Sequence, residues 1–428
     1  MWEDNRKKRL ILNIVLALAI LVIVGALGIA MLYVRQQTRE HDEQLSEIYV
    51  QQQQQQTEAR QESVDAIQAE YDKDMQTVQD FLPGIVCWGD SLTLGSSGNV
   101  SYPSVLKTYL DTYFCDIYDF RSTIPNAEDY ARLRWDDYKV SVPVVNMGAG
   151  PEDSNTVLGR AGAVPYVVGE DLYIPAGTEP VEIRLKSENG SWVYPLTGGN
   201  AGVNNVMIGD VEGSLSMDSS AYYYSGYRYY FTRSAEGVET MAPAGTVIKT
   251  AATDQYRDYI HVVCIGTYDS FTSADALVQQ VKTLLSRQAQ NPDRFIVLGI
   301  CSVNKSVHNV YTLDSIDAAM MQAFGNRYIN VRKYLVEDGM TDAGLSLTSK
   351  DKLYISQGMV PESFISSADG VELNGKAYAL IGRLVYNRME SLGYFDEVYR
   401  ELGIKDTTMK ILKDDPTYFD RILKNAFK

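Results

Sequence analysis

The chain has 428 residues, of which 45% are hydrophobic and 22% are charged, and its formal net charge at pH 7 is −16. This apolar content is that of a globular protein with a sizeable core. The negative charge argues against nucleic acid as a partner, and against anionic membrane or wall polymers as ligands attracted by charge.

The first element is a run of 25 residues, 10–34, that contains no charged side chain. At about 1.5 Å per helical residue the run is long enough to cross a hydrocarbon core of about 30 Å. We predict an uncleaved transmembrane helix, because the run is longer than the apolar core of a signal peptide, which is the alternative. Residues 6–9 are all basic, whereas only Arg35 and Arg39 follow the run closely. The positive-inside rule therefore predicts a single-pass protein of the cell membrane, with residues 1–9 in the cytoplasm and the globular part outside.

Residues 35–80 are rich in Gln, Glu, Asp and Arg, with six consecutive glutamines at 51–56 and no glycine or proline. This composition predicts a helical or partly disordered stalk. Its apolar residues recur at mixed spacings of three and four, which favours a weak coiled coil or one helix packed on the domain. A solvated spacer is an equal alternative. The apolar residues are Leu45, Ile48, Tyr49, Val64, Ile67, Tyr71, Met75 and Val78.

Five short apolar runs in the remaining chain are bounded by Gly, Pro or Asn, and helix-like segments lie between several of them. Fully apolar strands that alternate with helices predict an α/β fold with a parallel sheet covered on both faces. Residues 161–257 break this pattern with Gly-rich turns and a tyrosine cluster at 222–230, which predicts an inserted β-rich subdomain. The α/β domain then comprises residues 81–160 and 258–395, and residues 396–428 form a C-terminal helical tail. The apolar runs are 84–88, 142–147, 260–266, 295–299 and 328–331.

The sequence contains four cysteines. Cys87, Cys264 and Cys301 each lie in a strand-like apolar run, where burial as a small hydrophobic side chain is common, so a structural disulfide is not expected. Neither a CxxC motif nor His/Cys metal-ligand spacing is present, and we predict no metal and no cofactor.

Residues 89–92 read Gly-Asp-Ser-Leu directly after an apolar strand, which places Ser91 at a strand-to-helix turn where a nucleophile belongs. This motif resembles block I of the SGNH/GDSL hydrolases, which are esterases and acyl-transferring enzymes. The resemblance spans roughly residues 83–394 and implies a flavodoxin-like three-layer α/β/α sandwich. In this family the serine is the nucleophile and, through its backbone N–H, a donor to the oxyanion.

Two further segments resemble family blocks but differ at the residues that perform chemistry. In block II, residues 144–154, the family uses a glycine N–H as an oxyanion donor. One register puts Pro151 there, which has no N–H, and a register shifted by one residue puts Gly150 there. In block III, residues 262–269, the family's oxyanion-donating asparagine is replaced by Tyr268. A tyrosine hydroxyl can donate but lies further from its Cα, so we expect Tyr268 to line the rim of the cleft.

Block V of the family reads Asp-x-x-His, in which the aspartate orients the imidazole that activates the serine. This chain has Asp369 followed by Glu372 in the position of the histidine. A carboxylate with a pKa of about 4.3 is a poorer proton acceptor at neutral pH than an imidazole with a pKa of about 6.5. The resemblance therefore implies a catalytic set of Ser91, Asp369 and Glu372 that is degenerate.

Another histidine would have to replace the missing base. The sequence has three histidines, and none lies in the late segment where the family places its base. His261 begins the strand of block III, at the end away from the expected catalytic edge. His308 follows the strand run 295–299 on the correct side, and an ordinary loop histidine is the simpler interpretation.

Three functions follow from these expectations. The first is a membrane-anchored extracellular SGNH-type protein that binds an acylated or glycan ligand in its cleft with lost or weak hydrolysis. The second is an active but unconventional serine esterase that uses Ser91 with Asp369, Glu372 or His308. The third is a non-catalytic surface module that recruits a protein partner through the stalk or the β insertion, whose tyrosine cluster has the composition of a contact surface.

Overall fold

The structure, a computed structural model, describes most of the chain. The described residues fall into two compact units, one up to residue 71 and one that begins at residue 72. The predicted positions Pro151, His308 and Asp369 lie outside the described residues. These residues are 2–95, 100–117, 141–150, 152–190, 193, 202–218, 227–268, 273–300, 310–366 and 372–404.

The first element, α1 (Trp2–Phe81), is one helix of 80 residues. It is long and apolar enough to cross a membrane, and no part of its most apolar window is buried inside the protein. Its polar part is rich in Gln and Glu, which are good helix formers, and carries side-chain bonds one turn apart such as Gln36 to Glu40 and Gln61 to Asp65. The segment expected to be a helical or partly disordered stalk is therefore helical throughout.

Fourteen strands and ten further α-helices follow α1 among the described residues. The strands are β1 (Ile85–Gly89), β2 (Val144–Gly148), β3 (Tyr166–Val168), β4 (Leu172–Ile174), β5 (Val181–Ile183), β6 (Leu185–Ser187), β7 (Val206–Ile208), β8 (Val211–Asp218), β9 (Arg228–Arg233), β10 (Thr240–Ala242), β11 (Val247–Lys249), β12 (Ile260–Cys264), β13 (Phe295–Leu298) and β14 (Tyr328–Ile329). The helices are α2 (Ser91–Leu94), α3 (Tyr102–Ile117), α4 (Ser154–Arg160), α5 (Ala274–Gln288), α6 (Val310–Phe324), α7 (Val331–Tyr334), α8 (Met340–Asp342), α9 (Ser349–Ser356), α10 (Gly375–Ser391) and α11 (Asp396–Glu401).

The predicted parallel sheet is confirmed. Five strands pair in the order β2-β1-β12-β13-β14, and every pair is parallel. In register, Gly89 at the end of β1 lies beside Gly148 of β2 and Cys264 of β12. The carboxyl ends of these three strands therefore lie level at one edge of the sheet. Each of the five strands lies in or overlaps one of the five apolar runs.

Successive residues of a strand point to opposite faces of the sheet, so these apolar strands present apolar side chains on both faces. Helices cover both of them. On one face Ile85 and Cys87 pack in a core with α3, α10 and the last turn of α1. On the other face Val86 and Trp88 pack in a core with α4, α5 and α6. The mixed α/β class expected from the sequence is therefore confirmed.

The chain between α4 and β12 builds a β structure with its own sheets. Its larger sheet has seven strands in the order β5-β9-β8-β7-β11-β3-β6, and all their pairings are antiparallel. The two outermost strands, β5 and β6, are separated in the chain by Arg184 alone. A core that includes Val206, Phe231 and Ile248 packs within this β structure. The strands β4 and β10 form an additional antiparallel pair.

Candidate functional site

Ser91 is the first residue of α2, at the turn that follows β1. The side chain of Asp90 caps this helix, because its carboxylate accepts a hydrogen bond from Leu92 N at 2.9 Å. Gly89 allows the turn to be tight, since a Cβ there would lie 2.0 Å from Thr93 Oγ1 and 2.4 Å from the Cys264 carbonyl oxygen. The predicted strand-to-helix turn is thus built by local residues and holds Ser91 at the carboxyl edge of the sheet.

Gly150, which follows β2, packs directly against Ser91. A Cβ on Gly150 would lie 2.4 Å from the Cβ of Ser91 and 2.6 Å from its backbone nitrogen. Only glycine permits this approach. Of the two block II candidates, Gly150 is therefore in contact with the serine.

Tyr268, which follows β12, is the third residue of the candidate site. Its hydroxyl is joined to Ser91 Oγ by a hydrogen bond of 2.7 Å. Tyr268 was expected to line the rim of the cleft, and the structure shows in addition that its hydroxyl contacts Ser91 Oγ. Ser91 is buried, and Tyr268 is partly exposed.

Ser91 and Tyr268 follow β1 and β12, the two neighbouring strands between which the strand order of the sheet reverses. The chain runs outward from β1 to β2 on one side, and from β12 to β13 and β14 on the other. Ligands of open α/β sheets bind at such a switch point, in the crevice beyond the carboxyl ends of the strands. The bond between Ser91 and Tyr268 spans this switch point, since one residue follows β1 and the other follows β12.

A buried ion pair lies beneath the loops that carry Ser91 and Gly150. Arg160, at the end of α4, donates from Nε to Glu152 Oε2 at 2.7 Å, and the side chains of both residues are 1% exposed. The other guanidinium nitrogens donate to the carbonyl oxygens of Met147 and Gly89, each at 3.1 Å. Burial raises the pKa of the Glu152 carboxyl, and Arg160 opposes this shift.

Two of the residues considered as a base, Glu372 and His261, are among the described residues. Glu372 has an exposed side chain, and its backbone oxygen accepts a hydrogen bond from Ser366 N at 2.9 Å. His261 lies at the start of β12, as the sequence indicated. It is fully buried, and its Nδ1 accepts a hydrogen bond from Trp88 Nε1 at 3.2 Å. Burial lowers the pKa of His261 to about 4. His261 is thus a neutral core residue.

The buried His261 makes a testable contribution to acid sensitivity. Its pKa is about 4 in the folded chain and about 6.5 when unfolded, so between these values the unfolded state binds the additional proton. Stability from this residue is complete above about pH 6.5 and declines as the pH falls towards 4. Between pH 7 and pH 4.5 His261→Gln should therefore lose about 2 kcal/mol less free energy of unfolding than the wild type. Chemical denaturation at the two pH values measures this, and equal losses in both proteins would contradict it.

The ion pair of Arg160 and Glu152 was not singled out from the sequence. Its signal is weak, because a glutamate and an arginine eight residues apart normally lie on a solvated surface. The apolar residues Val157 and Leu158 next to Arg160 are the one local indication of burial. Among the described residues, no group of three or more His, Cys, Asp or Glu side chains is placed to hold a metal ion.

Comparison with known proteins adds no assignment. A scan against protein-family models, a search of curated proteins and a search of solved structures each find no match to this chain.

Proposed function

We propose that the chain is a membrane-anchored protein of SGNH/GDSL type that binds an acylated or glycan ligand at the Ser91 crevice and hydrolyses it weakly or not at all. The hydrogen bond between Ser91 Oγ and the Tyr268 hydroxyl carries this proposal. In this bond, the serine that corresponds to the family's nucleophile is paired with the tyrosine that replaces the family's oxyanion-donating asparagine. The strand order, second-first-third-fourth-fifth within the parallel sheet, is that of flavodoxin-like folds and agrees with the resemblance.

Weak hydrolysis follows from the chemistry of the substitutions. A serine hydroxyl attacks an ester only when a base removes its proton, and removal of the histidine from a serine triad costs on the order of 10⁶ in turnover. In this chain the residue at the histidine position is Glu372, with an exposed side chain. Binding requires no such base, because a crevice at a switch point with a hydroxyl pair at its floor can hold an ester or sugar hydroxyl through hydrogen bonds.

An unconventional serine esterase is the second candidate. It is favoured by the intact turn at Ser91, with its Asp90 cap and the close approach of Gly150. In this case Tyr268 would donate to the developing oxyanion once the substrate displaces Ser91 Oγ from its hydroxyl. The two candidates predict different turnover from the same site.

Turnover of small esters separates the two candidates. Full-length protein in detergent micelles should hydrolyse p-nitrophenyl acetate and butyrate no faster than the Ser91→Ala variant, because Glu372 stands where the family has its activating histidine. The wild type should nevertheless bind O-acetylated oligosaccharides in saturation-transfer NMR, and Tyr268→Phe, which removes only the hydroxyl, should change that affinity. Robust wild-type turnover that Ser91→Ala abolishes would establish the esterase instead. Absence of both turnover and binding would leave the third function, a surface module.

The anchor proposal is tested independently of the crevice. We propose that residues 10–34 cross the cell membrane with residues 1–9 in the cytoplasm, on the basis of the basic residues 6–9 and the apolar part of α1. Protease added to intact cells should then remove the globular part, whereas a tag before residue 1 should be digested only after permeabilisation. A globular part protected in intact cells would overturn this orientation.

A further inference from the structure

We propose that Arg160 is a positioning residue for the crevice: its guanidinium fixes the end of β1 relative to the end of β2 and thereby sets Ser91 against Gly150. The proposal rests on the proposed function only for the identity of the crevice. Arg160 donates to the carbonyl oxygens of Gly89 and Met147, each at 3.1 Å. Gly89 lies two residues before Ser91, so one side chain joins both strand ends that lead into the crevice.

Glu152 holds the guanidinium in place from the third side. Its Oε2 accepts from Arg160 Nε at 2.7 Å, and both side chains are 1% exposed, so water does not compete for these bonds. Arg160 itself is tied to the insertion, because its backbone oxygen accepts a hydrogen bond from Thr250 Oγ1 at 2.8 Å. Thr250 directly follows β11. Arg160 is therefore held by bonds from its guanidinium to the parallel sheet and to Glu152 in the loop after β2, and by a bond to its backbone from Thr250 after β11.

The chemistry requires a guanidinium and not merely a positive charge. Its planar fork presents donors in fixed directions, and here these reach two backbone carbonyls and one carboxylate at the same time. An ammonium group at the end of a flexible stem cannot span the three acceptors in one geometry. Lysine at this position would keep the charge opposite Glu152 and lose the link between β1 and β2.

The test reads the geometry of the turn without ligand or catalysis. In a Ser91→Cys background, the rate at which iodoacetamide alkylates position 91 is measured by peptide mass spectrometry on the full-length protein. Cys87 in β1 is fully buried, so its own alkylation reports any general opening of the sheet in the same sample. The variants are Arg160→Met/Glu152→Met, which removes both charges together, Arg160→Lys, and the matched control Glu152→Gln, which keeps the guanidinium and an oxygen acceptor.

In the double variant, alkylation at position 91 should be at least about fivefold faster, because the turn is no longer fixed against Gly150, while Cys87 stays protected. Arg160→Lys should behave like the double variant, and Glu152→Gln should stay within about twofold of the parent. An unchanged rate at position 91 in the double variant would overturn the proposal. So would alkylation of Cys87 and position 91 in parallel, which would make Arg160 a general stabiliser of the sheet. Neither result bears on ester turnover or ligand binding, so failure here is distinguishable from failure of the proposed function.

Discussion

The variant that combines Glu372→His, Pro151→Gly and Tyr268→Asn should hydrolyse p-nitrophenyl acetate faster than the wild type and faster than any of the three single variants. Base and oxyanion donors act on the same transition state, so each is of limited use without the other. A general base contributes about 10²–10⁴ and a single oxyanion donor about 10²–10³. We therefore expect a gain of at least about 100-fold for the triple variant and little for Glu372→His alone.

The substitution at Tyr268 has a matched control. Tyr268→Phe and Tyr268→Asn both free Ser91 Oγ from the hydrogen bond of 2.7 Å, but only asparagine supplies an amide donor. Replacement of asparagine by phenylalanine in the triple variant should therefore remove most of the gain. Addition of Ser91→Ala should return the rate to background. If the triple variant gains nothing over an inactive wild type, the alignment of blocks II, III and V to these residues is wrong.

The fold class was predictable because its signal is local. Five apolar runs bounded by turn residues are enough to indicate buried parallel strands, and all five contribute to one sheet. The strand order of the antiparallel sheet was not predictable, because it depends on pairings such as that of β5 with β9 and of β6 with β3. Alternation of apolar residues identifies a strand but not its partner in the chain.

The candidate site was predictable only where it depends on residues that are neighbours in the chain. The Gly-Asp-Ser-Leu turn follows from neighbouring residues, and the structure places Ser91 there with Gly150 against it. The contact with Tyr268 depends on how β1 and β12 lie side by side, which a sequence without a known partner strand does not state. Arg160 was missed for the same reason, because the three groups that accept hydrogen bonds from its guanidinium come from different segments of the chain.

Arg160→Met should reduce the free energy of unfolding by about 3–5 kcal/mol, because it leaves the buried Glu152 carboxylate without its partner. Arg160→Met/Glu152→Met should regain most of this loss, since replacement of both charges by apolar side chains removes the cost of burying an unpaired ion. Chemical denaturation of the two variants and the wild type measures both effects. A double variant as unstable as the single one would show that packing, and not charge, is responsible.

The same ion pair predicts how the stability defect of Arg160→Met depends on pH. Burial already raises the pKa of Glu152, and removal of Arg160, which opposes that shift, raises it further. In Arg160→Met the folded state then holds the proton to a higher pH than the unfolded state, so stability from this group is present at low pH and lost as the pH rises. The defect of Arg160→Met relative to the wild type should therefore be smaller at pH 5 than at pH 8. The double variant has no carboxyl group at this position and should show no such change, whereas a defect of Arg160→Met that is equal at both pH values would mean that water or another cation reaches Glu152.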